Sequence, residues 1–341
     1  MIEQQFRQGT KRIRPFARLA GVHHRGTSRP LQRAVVDFAA DVPFAQAMDK
    51  LVEHYGVLLN EGVIRRVTLH HAEQMQEKDA VQEVWPTQPG SACVIAQMDG
   101  GMVPIVEPDE SQVDRRKGKS LFWKEAKIGL AHAKGSKKLA YSGTLQGDVD
   151  EAGKGLLRCV SRVGLGQETQ VHAVGDGAKW IADQVEKQFG AQGRYLIDFY
   201  HLCDYLSAAA KAIQSRQEAV RGWMETHKVY LKQGESDKVL KSLRSHLEGP
   251  EVDDEDAPVR RCYRYMVNRR DQLDYAAAIK NELPIGSGEV ESAHRYLVQQ
   301  RLKRSGAWWR AKNAESMLAL RLNRANRQWQ GYWASEMKAA A

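Results

Sequence analysis

Cysteine is scarce in this chain: Cys93, Cys159, Cys203 and Cys262 stand far apart in 341 residues, and no two are spaced C-x-x-C. Zinc ribbons and disulfide frameworks need clustered or paired cysteines, so both are excluded, and four ordinary semi-buried thiols suit a reducing cytoplasm. No apolar run reaches eighteen residues, so no membrane-crossing helix is predicted. The N-terminus, MIEQQFRQGTKRIRPFARLAG, is basic and lacks the apolar core of a secretion signal. No repeat of fixed period is present, which excludes solenoids and propellers. What is there is an ordinary globular balance, 42% hydrophobic and 27% charged, long enough for two or three units.

Charge is distributed unevenly. Residues 1–33 hold eight Lys and Arg against the single acid Glu3, and residues 295–328 hold nine against the single acid Glu315. The whole chain carries only +9, so the stretch between these ends is net acidic. Basic flanks around an acidic middle suggest a polyanion gripped at both ends, although a solvated basic surface would read the same way.

Residues 1–30 are rich in Arg, Gly and His and read as an arm. Helical spacing follows at 31–40, 44–55 and 60–77, with Gly56 as a helix end and Asn60 as a cap. Three short helices in residues 31–84 suit a helix-turn-helix, with Arg65, Arg66, His70 and His71 on the candidate recognition helix. The breaker-rich WPTQPG at 85–90 is a boundary. Residues 90–205 read as strand (92–98), strand (125–132), strand (139–147), helix (149–163), strand (170–174), helix (178–189) and strand (194–197), a mixed α/β sheet in the order of an RNase H fold. Residues 206–283 read as all helical, with the acidic patch 248–256 as a solvated loop. PIGSG at 284–288 then breaks the chain, Ser287 being a candidate N-cap. Basic helices at 289–304 and 311–327 and a tail from 331 complete it.

Two acids sit where a sheet would present them. Asp99 ends one apolar strand and Asp176 another, each followed by glycine; strand ends leave side chains free to meet a ligand, and glycine lets a phosphodiester come close. Asp-Gly is also common turn punctuation, and the motif by itself does not decide between the two. Glu289 and Glu291 follow Gly-Ser-Gly, but residues two apart on a helix point about 200° from each other. Glu291 shares its face with His294 and Arg295, groups suited to holding DNA, which favours it as the third acid. Asp198 and His201 are spaced to support such a site at a strand-to-helix junction. Trp308, flanked by Lys303, Arg304 and Arg310, is a candidate for stacking on a base, with packing as the alternative for one of Trp308 and Trp309.

GDGAKWI at 175–181, IDFYH at 197–201, IGSGEVES at 285–292, QRLKRSGAWW at 300–309 and AESMLALR at 314–321 together resemble bacterial DDE transposases of the ISKra-type insertion-sequence family, which is similar to the Mutator-like superfamily. The resemblance spans roughly residues 28–330, although relatives often begin with a longer, cysteine-containing segment. It implies an RNase H-like core interrupted by the helical insertion, and a catalytic, metal-holding triad of Asp99, Asp176 and Glu291. It implies that Asp198 and His201 form an Asp-x-x-His element. It also implies Mg²⁺, with Mn²⁺ as a substitute, and a homo-oligomer assembled on double-stranded transposon ends and target DNA near the nucleoid. Arg65, Arg66, Arg295, Arg301, Lys303, Arg304, Trp308 and Arg310 are then the expected DNA contacts. A non-catalytic DNA-binding regulator and a general RNase H-like nuclease are the competing readings.

Overall fold

A computed structural model of the chain describes residues 6–9, 11–13, 15, 27–78, 86–109, 111 and 118–338. Most of the expected arm lies outside the described residues; within it, β1 (Phe6–Gln8) and β2 (Lys11–Ile13) form an antiparallel pair. Three helices follow, α1 (Arg29–Asp41), α2 (Phe44–Tyr55) and α3 (Glu61–Lys78). Their limits are set locally. Ser28 accepts a hydrogen bond from Leu31 N at the start of α1, Gly56 closes α2 at φ 61°, and Asn60 Oδ1 accepts from Val63 N at 2.9 Å. Ile64, Val67, His71 and Met75 form one buried face of α3 at helical spacing.

A five-stranded mixed sheet follows: β3 (Cys93–Pro108), β4 (Lys119–Ala133), β5 (Ala140–Thr144), then α4 (Val149–Val163), β6 (Gln170–Gly175), α5 (Lys179–Phe189) and β7 (Gly193–Ile197). The spatial order is β5-β4-β3-β6-β7, antiparallel from β5 to β3 and parallel from β3 to β7. Alternation divides the sheet. Val94, Ala96 and Met98 of β3 and Val171 and Ala173 of β6 pack with α4 and α5, so the residues between them face the other way.

Further helices follow: α6 (Phe199–Ile213), α7 (Gln217–Lys232), α8 (Ser236–Arg244), α9 (Pro258–Val267), α10 (Tyr275–Lys280), α11 (Gly288–His294) and α12 (Ala311–Ala325). Helices α6 to α10 share a core of their own with Leu196 and Ile197 of β7. The all-helical stretch expected from 206 begins earlier, with α6 running unbroken through that position. The acidic patch is not simply solvated: Glu248 accepts from Val259 N and Arg260 N at the start of α9, and Asp254 pairs with Arg264. α11 continues through a π-helical stretch (Arg295–Gln299) into a last turn (Gln300–Leu302).

The expected tail is instead α13 (Trp329–Lys338), which buries Tyr332 and Trp333. His71 lies under it, bonded to Tyr332 OH at 2.6 Å and to Gln32 Oε1 at 2.8 Å. His71 therefore belongs to the core and not to an exposed recognition surface. A third core joins α1 to α3, the far half of the β3–β4 hairpin and the C-terminal helices.

Candidate active site

Gln97 of β3 pairs in register with Val174 of β6. Asp99 stands two residues further along β3, and Asp176 directly follows the last residue of β6. Asp99 lies on the face turned away from α4 and α5, by alternation with Met98. On that face Gln97 Oε1 accepts from Val290 N at 3.0 Å, and Gln97 Nε2 donates to Glu289 Oε2 at 3.0 Å, docking the first turn of α11 on β3.

Asp99 does not end its strand. β3 runs on to Pro108, and Gly100 and Gly101 pair with Lys127 and Ala126 of β4. Side chains crowd those two glycines: a Cβ on Gly101 would stand 2.7 Å from His294 Nδ1, and one on Gly100 would collide with the Glu125 carboxylate. Asp176 is in a turn, its Oδ1 accepting from Ala178 N at 2.8 Å while Gly177 adopts φ 84°. Tyr265 OH donates to Asp176 O at 2.7 Å and Arg269 Nε to Gly177 O at 2.8 Å, so helix α9 steadies the turn. The same dipeptide thus serves two backbones.

His294, 4% exposed, lies beside Asp99. Its Nε2 is 3.1 Å from Asp99 O and 3.6 Å from Asp99 Oδ2. A carbonyl oxygen only accepts, so Nε2 carries the hydrogen. Burial raises the Asp99 pKa above the usual carboxylate value; His294 and the Gly100 N–H oppose the rise, and the charges of Asp176 and Glu291 add to it. All three acids therefore share one electrostatic environment.

Glu289 is engaged elsewhere: besides Gln97 it meets His132 Nε2 at 3.2 Å, and that hydrogen bond is the main reason the His132 pKa is raised. Glu291 is exposed on the adjoining part of α11.

Asp198 and His201 do not join this group as a pair. Asp198, 3% exposed, accepts from Tyr200 N and His201 N with Oδ1, capping α6. Its Oδ2 accepts from Ser287 N at 2.6 Å and Ser287 Oγ at 2.5 Å. Ser287 accordingly makes no side-chain cap for α11; its hydroxyl is spent on Asp198, which ties β7 to the loop before the Glu-bearing helix. His201 packs against Tyr205 and Tyr265.

Arg65, Arg66, Arg295, Lys303, Arg304 and Arg310 are exposed, and Trp308 is 66% exposed. Trp309 is buried against the free edge of β3, where Val106 N donates to its carbonyl at 2.8 Å. Arg301 departs from the expected surface role. At 3% exposure its guanidinium lies between the rings of Phe44 and Trp309, 4.9 and 4.8 Å from their centroids, and Nε donates to Ala39 O.

Residues 165–337 match the uncharacterised protein family UPF0236, a span of half the chain. The chain belongs to UPF0236. No curated protein matches it. The UPF0236 segment contains Asp176, Asp198, Glu291, Arg301 and Trp308, whereas Asp99 and the N-terminal helices precede it.

Sequence reasoning noticed His294 only as a neighbour of Glu291 and passed over Gln97, Tyr265 and Arg269, which orient the two aspartate-bearing strands. His294, three residues after Glu291, is the one of these with a local signal. Glu315, within a motif used for the resemblance, is a buried acceptor for Thr144 Oγ1, Leu145 N and Gln146 N, and so anchors the β5–α4 connection.

Among the described residues, no three His, Cys, Asp or Glu side chains are gathered closely enough to hold a metal ion by themselves. Magnesium commonly takes only one or two carboxylates and completes its shell with water and phosphate. The donor set at Asp99 is oxygen-only and mutually repulsive, which fits such an ion.

Proposed function

We propose that this chain is a DDE-type DNA transposase on an RNase H-like core, of the ISKra type. One observation carries the reading: Asp99 lies on β3 and Asp176 at the end of its parallel neighbour β6, and the charges of Asp176 and of Glu291, on the helix docked there, both add to the raised pKa of Asp99. The strand order β5-β4-β3-β6-β7, with helices inserted between the last strand and the Glu-bearing helix, agrees with it.

In this reading Asp99, Asp176 and Glu291 would hold Mg²⁺ or Mn²⁺, which when bound supplies activation of the attacking oxygen and charge relief at the leaving one. The chain's own side chains do the positioning. His294 holds the Asp99 segment, Asp198 holds the loop before α11, and Gln97 fixes α11 against β3. Arg295, Lys303, Arg304 and Arg310 bind phosphates of transposon ends and target. The three N-terminal helices, with Arg65 and Arg66 on α3, serve as the helix-turn-helix that reads terminal repeats. Two DNA ends call for at least two protomers, so a homo-oligomer forms on DNA.

The test is cleavage of a labelled duplex carrying the element's ends, in Mg²⁺, Mn²⁺ or EDTA. Wild type gives metal-dependent 3′-hydroxyl ends. Asp176→Asn lowers the rate at least about a hundredfold and still binds the duplex. Binding without cutting in every metal would favour a DNA-binding regulator, and cutting by Asp176→Asn would refute the triad.

A further inference from the structure

Beside Trp309 lies a cavity of about 590 Å³, between α2, α3, the β3 edge and the loop following Leu302. Among the described residues, five cations line it, Arg65, Lys119, Arg301, Arg304 and Arg310, against the single acid Glu61. A neighbouring cavity of about 710 Å³ shares Arg65, Arg310 and Asn313 with it. Its size is that of a small-ligand pocket, and its wall is basic and aromatic.

Among the described residues, two buried donors on side chains that line it have no partner: Arg301 Nη2 and Trp309 Nε1, on side chains 3% and 6% exposed. Buried N–H groups are ordinarily satisfied, and two neighbouring orphans of the same polarity point to an acceptor supplied from outside. Both are donors, so what they lack is an acceptor, and a phosphate oxygen is one. Burial, with Arg321 and Arg304 close by, lowers the Arg301 pKa to about 10; its positive charge is poorly compensated. At the mouth stands Trp308, with Lys119 Nζ 5.2 Å from its ring centroid.

We propose that this cavity receives one unpaired nucleotide of a DNA strand, its phosphate against Arg301 Nη2 and Trp309 Nε1 and its base stacked on Trp308. A paired base presents only its edge, whereas a splayed one offers the ring face that an exposed indole takes. The proposal rests on the reading of the chain as a DNA-binding protein and deepens it: the basic C-terminal segment recognises an unpaired position as well as duplex phosphates.

The experiment is fluorescence anisotropy of a labelled single strand of about ten nucleotides, against a blunt duplex of equal length, with the full chain in EDTA so that no cleavage is required. Inorganic phosphate is the competitor. Wild type prefers the single strand, and millimolar phosphate competes weakly. Trp308→Ala, exposed and harmless to the core, weakens single-strand binding roughly tenfold or more and duplex binding little. Trp309→Phe keeps an aromatic ring under Arg301 but removes one orphan donor, and weakens the single strand selectively. Equal binding of single strand and duplex, or a Trp308→Ala variant that binds the single strand like wild type, would overturn the proposal. A chain that passes this test but never cuts DNA refutes the transposase and leaves the cavity standing. One that cuts end-bearing duplex but fails this test does the reverse.

Discussion

The acid group at the sheet and the basic cavity beside Trp309 are opposites in charge and alike in construction. In the first, burial raises the pKa of Asp99, and the charges of Asp176 and Glu291 add to the rise. In the second, burial lowers that of Arg301, and the charges of Arg321 and Arg304 lower it further. Folding left each with like charges close together, an arrangement that costs stability and suits a ligand of opposite sign. They differ in support. Backbone N–H groups and His294 hold the acids, whereas Arg301 is held by aromatic rings and one carbonyl. The first centre suits a compact cation, the second a phosphate carrying a planar base.

A second buried arginine gives the sharpest control. Arg321, 2% exposed, donates to Leu297 O at 3.0 Å, Ala40 O at 2.6 Å and Asp41 Oδ1 at 3.0 Å, and also to Tyr296 O. It thus serves carbonyls in the π-helical stretch and at the end of α1 together. Arg321→Met strands these acceptors and costs about 3 kcal/mol or more in urea unfolding. Arg301→Met loses one carbonyl partner and relieves an unpaired buried charge, so it costs about 1 kcal/mol or less. Equal losses would mean that Arg301 is an ordinary structural arginine.

The acid centre is next. A divalent cation at hundredfold excess over its dissociation constant stabilises by about 2.7 kcal/mol, so Mn²⁺ raises the melting temperature of wild type and does so much less in Asp176→Asn. A shift of the same size in both proteins would place the ion elsewhere.

A smaller effect comes from Asp99 itself. Its folded pKa is raised, so its contribution to stability is complete below the unfolded carboxylate value and is lost as pH rises through the folded one. Asp99→Asn is therefore more stable than wild type at neutral pH, by about 1 kcal/mol. The gap closes on acidification, as thermal melts across pH would reveal.

Glu289→Gln gives the smallest change. It brings the His132 pKa back toward its ordinary 6.5 in an NMR titration. Because the folded value is raised, the pair's contribution is full below 6.5 and fades above the raised value; with Glu289 45% exposed, the loss stays under about 1 kcal/mol.

Particular residues mark how far the sequence was legible. The strands around Val94 and Val171 and helix α4 announced themselves, because apolar runs and helical periodicity are written over a few neighbouring residues. Asp99-Gly100 and Asp176-Gly177 are the same dipeptide locally. One continues a strand packed by Glu125 and His294 and the other turns, because long-range neighbours decide the backbone there. Trp308 and Trp309 are adjacent and opposite in exposure for a similar reason: the bridge from Trp309 to Ile105 selects which indole enters the core. Arg301 within a basic run looked like a surface cation, and only the rings of Phe44 and Trp309 show why it is buried.

The sequence by itself determined the mixed α/β class, the succession of strands and helices from β3 to β7, the basic ends and the short roster of acids. These depend on residue type and near-neighbour spacing, which a linear chain displays. Tertiary structure alone decided that Asp176 comes near Asp99 at the end of the neighbouring strand, that Glu289 is tied to His132 while the charge of Glu291 adds to the raised pKa of Asp99, and that two side chains with orphaned donors line one cavity. Strand register, helix docking and desolvation arise between residues far apart in the chain, and no local pattern encodes them.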